Sequence, residues 1–169
     1  GLQHFSAALR DEIGGKSVNL IPGDKPRDIY GEVAEKVNVV LRENALNGTS
    51  DAYIINKFGE KTMKWGTKTL AQQWLAFGVN RKVTKRCVMT LAYGAKQFGF
   101  KEQILEDTLN EVYGTDKGSM FTAGKNALAL YLAKLIWTAA SQTVVKAFAG
   151  MEWLQKVSNV ICKEGDVVT

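Results

Sequence analysis

Apolar residues recur at three- and four-residue steps along most of the chain, and this period predicts α-helices. Glycines and polar loops separate the apolar stretches. The predicted helices cover residues 3–13, 24 to about 45, 67–77, 81–94, about 100–112 and about 122–138, with a last amphipathic helix marked by Val144, Phe148, Met151 and Leu154. An extended segment around 18–20 and a Pro22-Gly23 turn precede the second helix, and a linker containing Phe98-Gly99-Phe100 follows the fourth.

Several details of these elements can be predicted. Asp24 suits the N-cap of the second helix, whose inward stripe comprises Ile29, Val33, Val37, Val40 and Leu41. Gly78 ends the third helix, and Asn80 suits the cap of the fourth. The β-forming residues from Tyr53 to Trp65 predict one small hairpin. The helix at 122–138 is apolar nearly all round, so we expect it to be buried. The fold class is therefore mainly α.

Composition narrows the class of protein. At 169 residues the chain is one domain or a piece of a larger one, and it begins Gly1-Leu2-Gln3, as expected of a processed chain or a segment. Its unbroken apolar runs are far shorter than the roughly 20 residues that span a bilayer, which predicts no membrane span. With one histidine and two distant cysteines, Cys87 and Cys162, we expect no zinc site and two buried thiols.

The net charge of +5 is spread unevenly. Nine of the 22 cations lie between Lys61 and Lys101, where there is no acidic residue, whereas acids outnumber cations in the rest of the chain. A basic centre in a mildly acidic chain is typical of a binding site for a polyanion.

Four cations crowd the start of the predicted helix at 81–94, and four-residue spacing aligns Arg81, Lys85, Met89 and Tyr93 in one row. Cations at a helix N-terminus oppose the helix dipole, so they cost stability unless an anion is bound there. With an anion, free N–H groups and cations would act together. A polyphosphate at that end, with its base or sugar near Tyr93, fits this pattern. The alternative is a solvated basic face.

The spacing of Arg81, Lys85, Tyr93 and Gly94 resembles the fingers helix of polymerases of the A superfamily. The surrounding segments are similar to single-subunit DNA-directed RNA polymerases, those of T-odd bacteriophages first and mitochondrial enzymes more distantly. The segments that carry this resemblance are 1–7, 9–12, 28–31, 73–76, 83–86, 88–94 and 134–137.

The resemblance implies part of an enzyme that transcribes DNA into RNA. Residues 1–23 would flank the palm, residues 24–163 would form the fingers subdomain with its nucleotide-binding helix at 81–94, and residues 164–169 would be a tail or the start of the next element. The partners would be ribonucleoside triphosphates, the DNA template, the RNA product and the remaining palm, thumb and N-terminal portions. The implied location is the cytoplasm of an infected bacterium, with mitochondria the less favoured alternative.

The resemblance also implies roles for individual residues around the incoming nucleotide. Arg81, Lys85 and Arg86 would bind the triphosphate, and Lys85 would also act as general acid toward pyrophosphate. Tyr93 would be counted with Lys85 among the catalytic residues, because it would lie at the bound sugar and favour ribose over deoxyribose. Met89, in the middle of the helix, would also contact the nucleotide, and it stands where DNA polymerases of the superfamily have an aromatic residue.

Further residues would contact the nucleic acid. Gly94 would allow close approach of the template, Phe98 and Gly99 would shape its path, and Tyr30 would contact the primer end or the nucleotide sugar. The aspartates that hold catalytic magnesium in the family lie outside this chain. We therefore expect no metal site here and no activity from the segment alone.

Two other functions stay open at this point. A non-catalytic helical nucleic-acid-binding module would use the same cations to follow phosphates. The fingers of a family A DNA polymerase would share the helix motif, although Met89 argues against them.

Overall fold

The computed structural model describes residues 28–91 and 93–147. These residues form a mainly helical fold with one two-stranded antiparallel sheet, so the predicted fold class is confirmed. The elements are α1 Ile29–Asn47, β1 Ala52–Ile55, β2 Lys61–Lys64, α2 Thr67–Phe77, α3 Arg81–Leu91, α4 Gln97–Ile104, a π-helix Leu105–Leu109, α5 Asn110–Val112, a 3₁₀-helix Asp116–Gly118 and α6 Lys125–Ala147. The predictions for residues 1–27 and 148–169 lie outside the described residues.

The cap of α1 differs from the prediction. Asp28, and not Asp24, is the N-cap, and its carboxylate accepts a hydrogen bond from the N–H of Gly31 at 3.1 Å. Asp28 immediately precedes the first buried residue, Ile29, which is where a capping carboxylate reaches the free N–H groups of the first turn.

The predicted inward stripe of α1 is correct except at Val40, which is 38% exposed. Each four-residue step turns about 40° around a helix, so the buried face drifts from Ile29 toward Leu41 and leaves Val40 at its edge. α1 packs against α2, α3 and α6 and is therefore the element that holds the start of α3 in position.

The predicted hairpin is confirmed. β1 and β2 pair with Tyr53 opposite Met63, and the amide oxygen of Asn56 accepts hydrogen bonds from the N–H groups of Phe58 and Glu60 in the turn. The side chains of both strands are mostly exposed, so the hairpin projects from the helical body.

The third helix is confirmed with both of its ends, since α2 spans Thr67–Phe77 and Gly78 follows with a φ of 94°. Trp74 at its centre is fully buried and donates its indole N–H to the carbonyl of Leu128 at 3.0 Å. This bond joins α2 to α6 through the core.

The helix predicted at 81–94 begins where expected but is shorter, because α3 ends at Leu91. The N–H of Gly94 bonds the carbonyl of Leu91, and the N–H of Ala95 bonds that of Thr90. This pair of bonds is the Schellman closure of a helix, and it needs a left-handed residue at Gly94, whose φ is 85°.

The linker predicted around Phe98-Gly99-Phe100 is wrong, because α4 begins at Gln97 and includes all three residues. Phe100 is fully buried and lies edge-on to Trp137, with ring centroids 5.4 Å apart. Packing against α6 therefore overrides the weak helix propensity of Gly99 in the first turn.

The prediction of two separate C-terminal helices is also wrong as far as the structure describes them. α6 runs without interruption from Lys125 to Ala147. It includes Val144, which the apolar spacing places in a separate last helix. α6 is long and apolar enough to cross a membrane by length and composition, but most of its apolar stretch is buried in the fold. It is the central core helix, as its lack of a polar face predicted.

Candidate functional site

Asn80 caps α3 and changes the predicted basis for anion binding. Its side-chain oxygen accepts hydrogen bonds from the N–H groups of Lys82 at 3.0 Å and Val83 at 3.3 Å. The prediction that Asn80 caps this helix is confirmed. The expectation that its first N–H groups are free to bind an anion is wrong, because those of Lys82 and Val83 already donate to Asn80. An anion at this end of α3 would depend on the side chains of the first two turns.

Arg81 and Lys85 lie one turn apart on α3 and share an aromatic platform on α1. The guanidinium carbon of Arg81 is 4.9 Å from the ring centroid of Tyr30, and the ammonium nitrogen of Lys85 is 5.9 Å from the same centroid. Only 7% of the Tyr30 surface is exposed, and burial raises the pKa of its hydroxyl. Two exposed cations are thus held side by side over one buried ring.

Direct bonds join the start of α3 to α1 at this platform. The hydroxyl of Thr84 is buried and donates to the carbonyl of Tyr30 at 3.0 Å, and the amide of Asn38 donates to the carbonyl of Val79 at 2.8 Å. These bonds fix the first turn of α3 relative to α1, so Arg81 emerges at a defined position.

Asp28 provides an ion pair at the edge of the platform. Its Oδ1 lies 3.1 Å from the Nε of Arg81. The hydrogen bond from Gly31, assisted by Arg81, lowers the pKa of the Asp28 carboxyl. Sequence reasoning missed this residue, although an aspartate directly before an apolar periodic stretch is a recognised N-cap signal.

Arg86 lies apart from the other two cations predicted to bind triphosphate. Its Nη1 is 2.6 Å from the carboxylate of Asp107 and 3.4 Å from that of Glu106, both in the π-helix. The bond to Asp107 raises the pKa of Arg86. Residues 81 and 86 differ by about 140° around an α-helix, so Arg86 lies at the opposite margin of the exposed face of α3.

The remaining predicted residues lie further along α3 and into the following segment. Met89 is partly exposed on α3, and Tyr93, in the turn that closes the helix, is 69% exposed. Phe98, in the first turn of α4, is 66% exposed and has the Lys101 ammonium 5.3 Å from its ring centroid. No atom lies within 4 Å of the position that a Cβ would occupy at Gly99. Tyr93, in the closing turn, and Phe98, in the first turn of α4, are thus both exposed.

A cavity of about 430 Å³ lies beside the start of α3, but neither Arg81 nor Lys85 lines it. Within residues 28–91 and 93–147, no group of three or more histidine, cysteine or acidic side chains could hold a metal ion.

Comparisons with known proteins cover nearly all of the chain. Residues 1–168 match the profile of a protein family described as DNA-dependent RNA polymerase. The chain is 52% identical over 170 aligned residues to the DNA-directed RNA polymerase of Enterobacteria phage T3, and also to the T7 RNA polymerase of Escherichia phage T7. Each alignment covers 97% of this chain and 19% of the phage protein.

Mitochondrial proteins are less similar. The mitochondrial DNA-directed RNA polymerase of Homo sapiens is 30% identical over 168 residues, which cover 99% of this chain and 12% of that protein. The chain thus spans about a fifth or less of the length of each of these relatives.

Proposed function

Because the chain belongs to the DNA-dependent RNA polymerase family, we propose that it forms the fingers and part of the palm of an enzyme that copies a DNA template into RNA. Its own task in that enzyme is to bind the incoming ribonucleoside triphosphate, to select ribose over deoxyribose, and to contact the template. The relatives named above carry DNA-directed RNA polymerase or RNA polymerase in their names, which supports this assignment.

The observation that carries the proposal is the pair of cations over Tyr30. A triphosphate presents several oxygens along a flexible chain, and two adjacent cations can contact different phosphates at once. Arg81 and Lys85 are exposed, and the Tyr30 ring beneath them reduces their freedom to move. Side chains ordered before binding lose less entropy when the ligand arrives.

Within this site, Lys85 is the residue that we assign to the reaction itself. An ammonium group beside the leaving pyrophosphate would stabilise the charge that develops there and could donate a proton to it. Arg81 would bind the same triphosphate from one turn earlier. Arg86 leaves α3 about 140° from Arg81 and bonds Asp107 and Glu106 through Nη1, so it would reach the triphosphate only by moving across α3.

Tyr93 and its neighbours would contact the sugar and the template. The ring of Tyr93 is exposed in the turn that follows α3, and we assign it to the sugar of the nucleotide. Gly94 would let the template approach, and Phe98 and Gly99 would border its path. Tyr30 would contact the primer end or sugar only through the small part of its surface that stays exposed.

The chemistry also requires parts beyond this segment. We propose that magnesium is held by aspartates outside this chain, as the similarity to single-subunit RNA polymerases implies. The segment alone would then lack templated activity. The similarity to phage proteins supports the cytoplasm of an infected bacterium as its location, ahead of mitochondria.

The test uses a complete polymerase that carries this segment. Tyr93→Phe should relax the preference for ribonucleotides, and Lys85→Ala should slow incorporation of every nucleotide. Tyr53→Phe and Lys64→Ala, in the exposed hairpin, are the matched controls and should change neither property. Unchanged sugar preference in Tyr93→Phe would refute the assignment of that residue. Loss of DNA binding in Lys85→Ala without any loss of triphosphate binding would favour a nucleic-acid-binding module.

A further inference from the structure

One oxygen of Asp28 holds two groups at once. Its Oδ1 accepts a hydrogen bond from the N–H of Gly31 at 3.1 Å and another from the Nε of Arg81, also at 3.1 Å. Among the described residues, the guanidinium has no hydrogen bond through its two Nη groups. Arg81 is thus held along one edge, while its other four N–H donors have no partner within residues 28–91 and 93–147.

The face of the same guanidinium is also fixed. Tyr30 lies beneath it at 4.9 Å and is itself almost completely buried. The Nε edge and one face of this guanidinium therefore both contact residues at the start of α1, although the Arg81 side chain is 54% exposed.

Gly31 provides the room that Asp28 needs. A Cβ at position 31 would lie 2.6 Å from Oδ2 of Asp28 and 3.1 Å from its Cγ, so any larger residue must displace the carboxylate. The tetrapeptide from Asp28 to Gly31 therefore contains a cap, a platform and the space that lets the cap reach Arg81.

We propose that Asp28 is a positioning residue for the incoming triphosphate, holding the Nε edge of Arg81 so that its Nη groups donate to phosphate oxygens. The inference rests on the proposed function and deepens it. Simple electrostatics predicts the reverse effect, because a carboxylate next to an anion site repels the anion. The two accounts therefore differ in the sign of the effect when Asp28 is replaced.

Two variants distinguish the effect of holding Arg81 in position from the effect of the negative charge of Asp28. Asp28→Ser keeps a capping oxygen for α1 but is too short to hold Arg81. Gly31→Ala keeps every charge and forces the carboxylate to move. The control is Glu35→Ala, which removes another exposed carboxylate from α1 together with its 3.5 Å pair to Arg42.

Two readouts apply to the 169-residue chain. Calorimetric titration with magnesium ATP gives the affinity, and the ¹⁵Nε–H resonance of Arg81 reports whether that edge is held. We expect Asp28→Ser and Gly31→Ala each to weaken ATP binding about two- to tenfold and to shift that resonance toward that of a free arginine. Glu35→Ala should change neither. In an Arg81→Ala background, the two variants should cause no further loss of affinity.

Each other result overturns the inference. If Asp28→Ser binds ATP more tightly than the unmodified chain does, the Asp28 carboxylate competes with the phosphates for Arg81. If the Arg81 resonance shifts in Asp28→Ser and Gly31→Ala while ATP affinity stays the same, Arg81 needs no positioning. The proposed function would still stand in that case, provided that Lys85→Ala weakens ATP binding. If the unmodified chain binds no ATP, the inference fails together with the proposed nucleotide site.

Discussion

The Nη1 of Arg86 lies 2.6 Å from the Oδ1 of Asp107, across the gap between α3 and the π-helix. This ion pair joins the π-helix to the side of α3 that lies away from Tyr30. A π-turn widens the helix at this position, and such turns are often found at functional sites. Of the three cations predicted to bind triphosphate, two thus lie over Tyr30 and the third lies in an ion pair with Asp107 and Glu106.

This division predicts unequal effects of replacing the cations. Lys85→Ala should weaken magnesium ATP binding by about tenfold or more, as expected when a charged hydrogen bond is lost. Arg86→Ala should weaken it by less than about threefold, because Arg86 is occupied by two carboxylates and its pair is exposed. Calorimetric titration measures both, and Arg42→Ala, an exposed arginine paired with Glu35, is the control. An equal loss in Lys85→Ala and Arg86→Ala would contradict this division, because it would show that Arg86 contributes as much to nucleotide binding as Lys85.

Gly94 is predicted to be required for its backbone conformation. Its φ of 85° is strained for any residue with a Cβ, while no atom lies within 4 Å of the position that a Cβ would occupy. Gly94→Ala should therefore lower the free energy of unfolding by about 1–2 kcal/mol without a steric clash. Urea denaturation provides the measurement.

Gly99 is the matched control for Gly94. It also has open space around it, but it lies inside α4 and its φ is not positive. Gly99→Ala should leave stability unchanged or raise it by up to about 1 kcal/mol, since alanine is the better helix former. Equal destabilisation by both substitutions would contradict the conformational explanation.

Cys87 should be unreactive in the folded chain. It is 1% exposed, and burial raises the pKa of its thiol from the ordinary 9.0 to about 12. Because the thiolate is the reactive form, iodoacetamide at pH 8 should modify Cys87 slowly in the native state and rapidly in urea. A Cys162→Ala background leaves Cys87 as the single thiol. Equal rates in both states would show that the core around Cys87 opens readily.

The same pKa shift predicts a loss of stability in alkali. The unfolded thiol loses its proton above about pH 9 while the folded thiol keeps it, so its contribution is complete below pH 9 and falls as the pH rises toward 12. Relative to Cys87→Ala, the chain should lose about 2 kcal/mol of unfolding free energy between pH 8 and pH 10.5. A constant difference between the two proteins over that range would contradict the prediction.

Elements with a clear start and stop were predictable from the sequence. α2 follows directly from its apolar spacing and from Gly78, whose left-handed conformation no other residue adopts as readily. The hairpin follows from its β-forming residues. α6 was cut short in the prediction, because a helix that is buried on nearly all sides has no periodic signal to mark its end.

The site was only partly predictable, for a different reason. The row from Arg81 to Lys85 is local in sequence, so helical spacing reveals it. The bond between Asp28 and Arg81 joins residues 53 positions apart, and the bond between Arg86 and Asp107 joins residues 21 apart. Their pairing depends on how α1, α3 and the π-helix pack, which the apolar pattern does not specify.

The central claim is that Arg81 and Lys85 over Tyr30 bind the phosphates of a nucleotide. The direct test is to titrate the chain, in magnesium, with adenosine, AMP, ADP and ATP in turn, and to repeat the series with Lys85→Ala and with Lys64→Ala as a control. We expect affinity to rise with each added phosphate in the unmodified chain and in Lys64→Ala, and we expect this rise to be largely lost in Lys85→Ala. An affinity that does not depend on the number of phosphates, or an equal loss in both lysine variants, would contradict it.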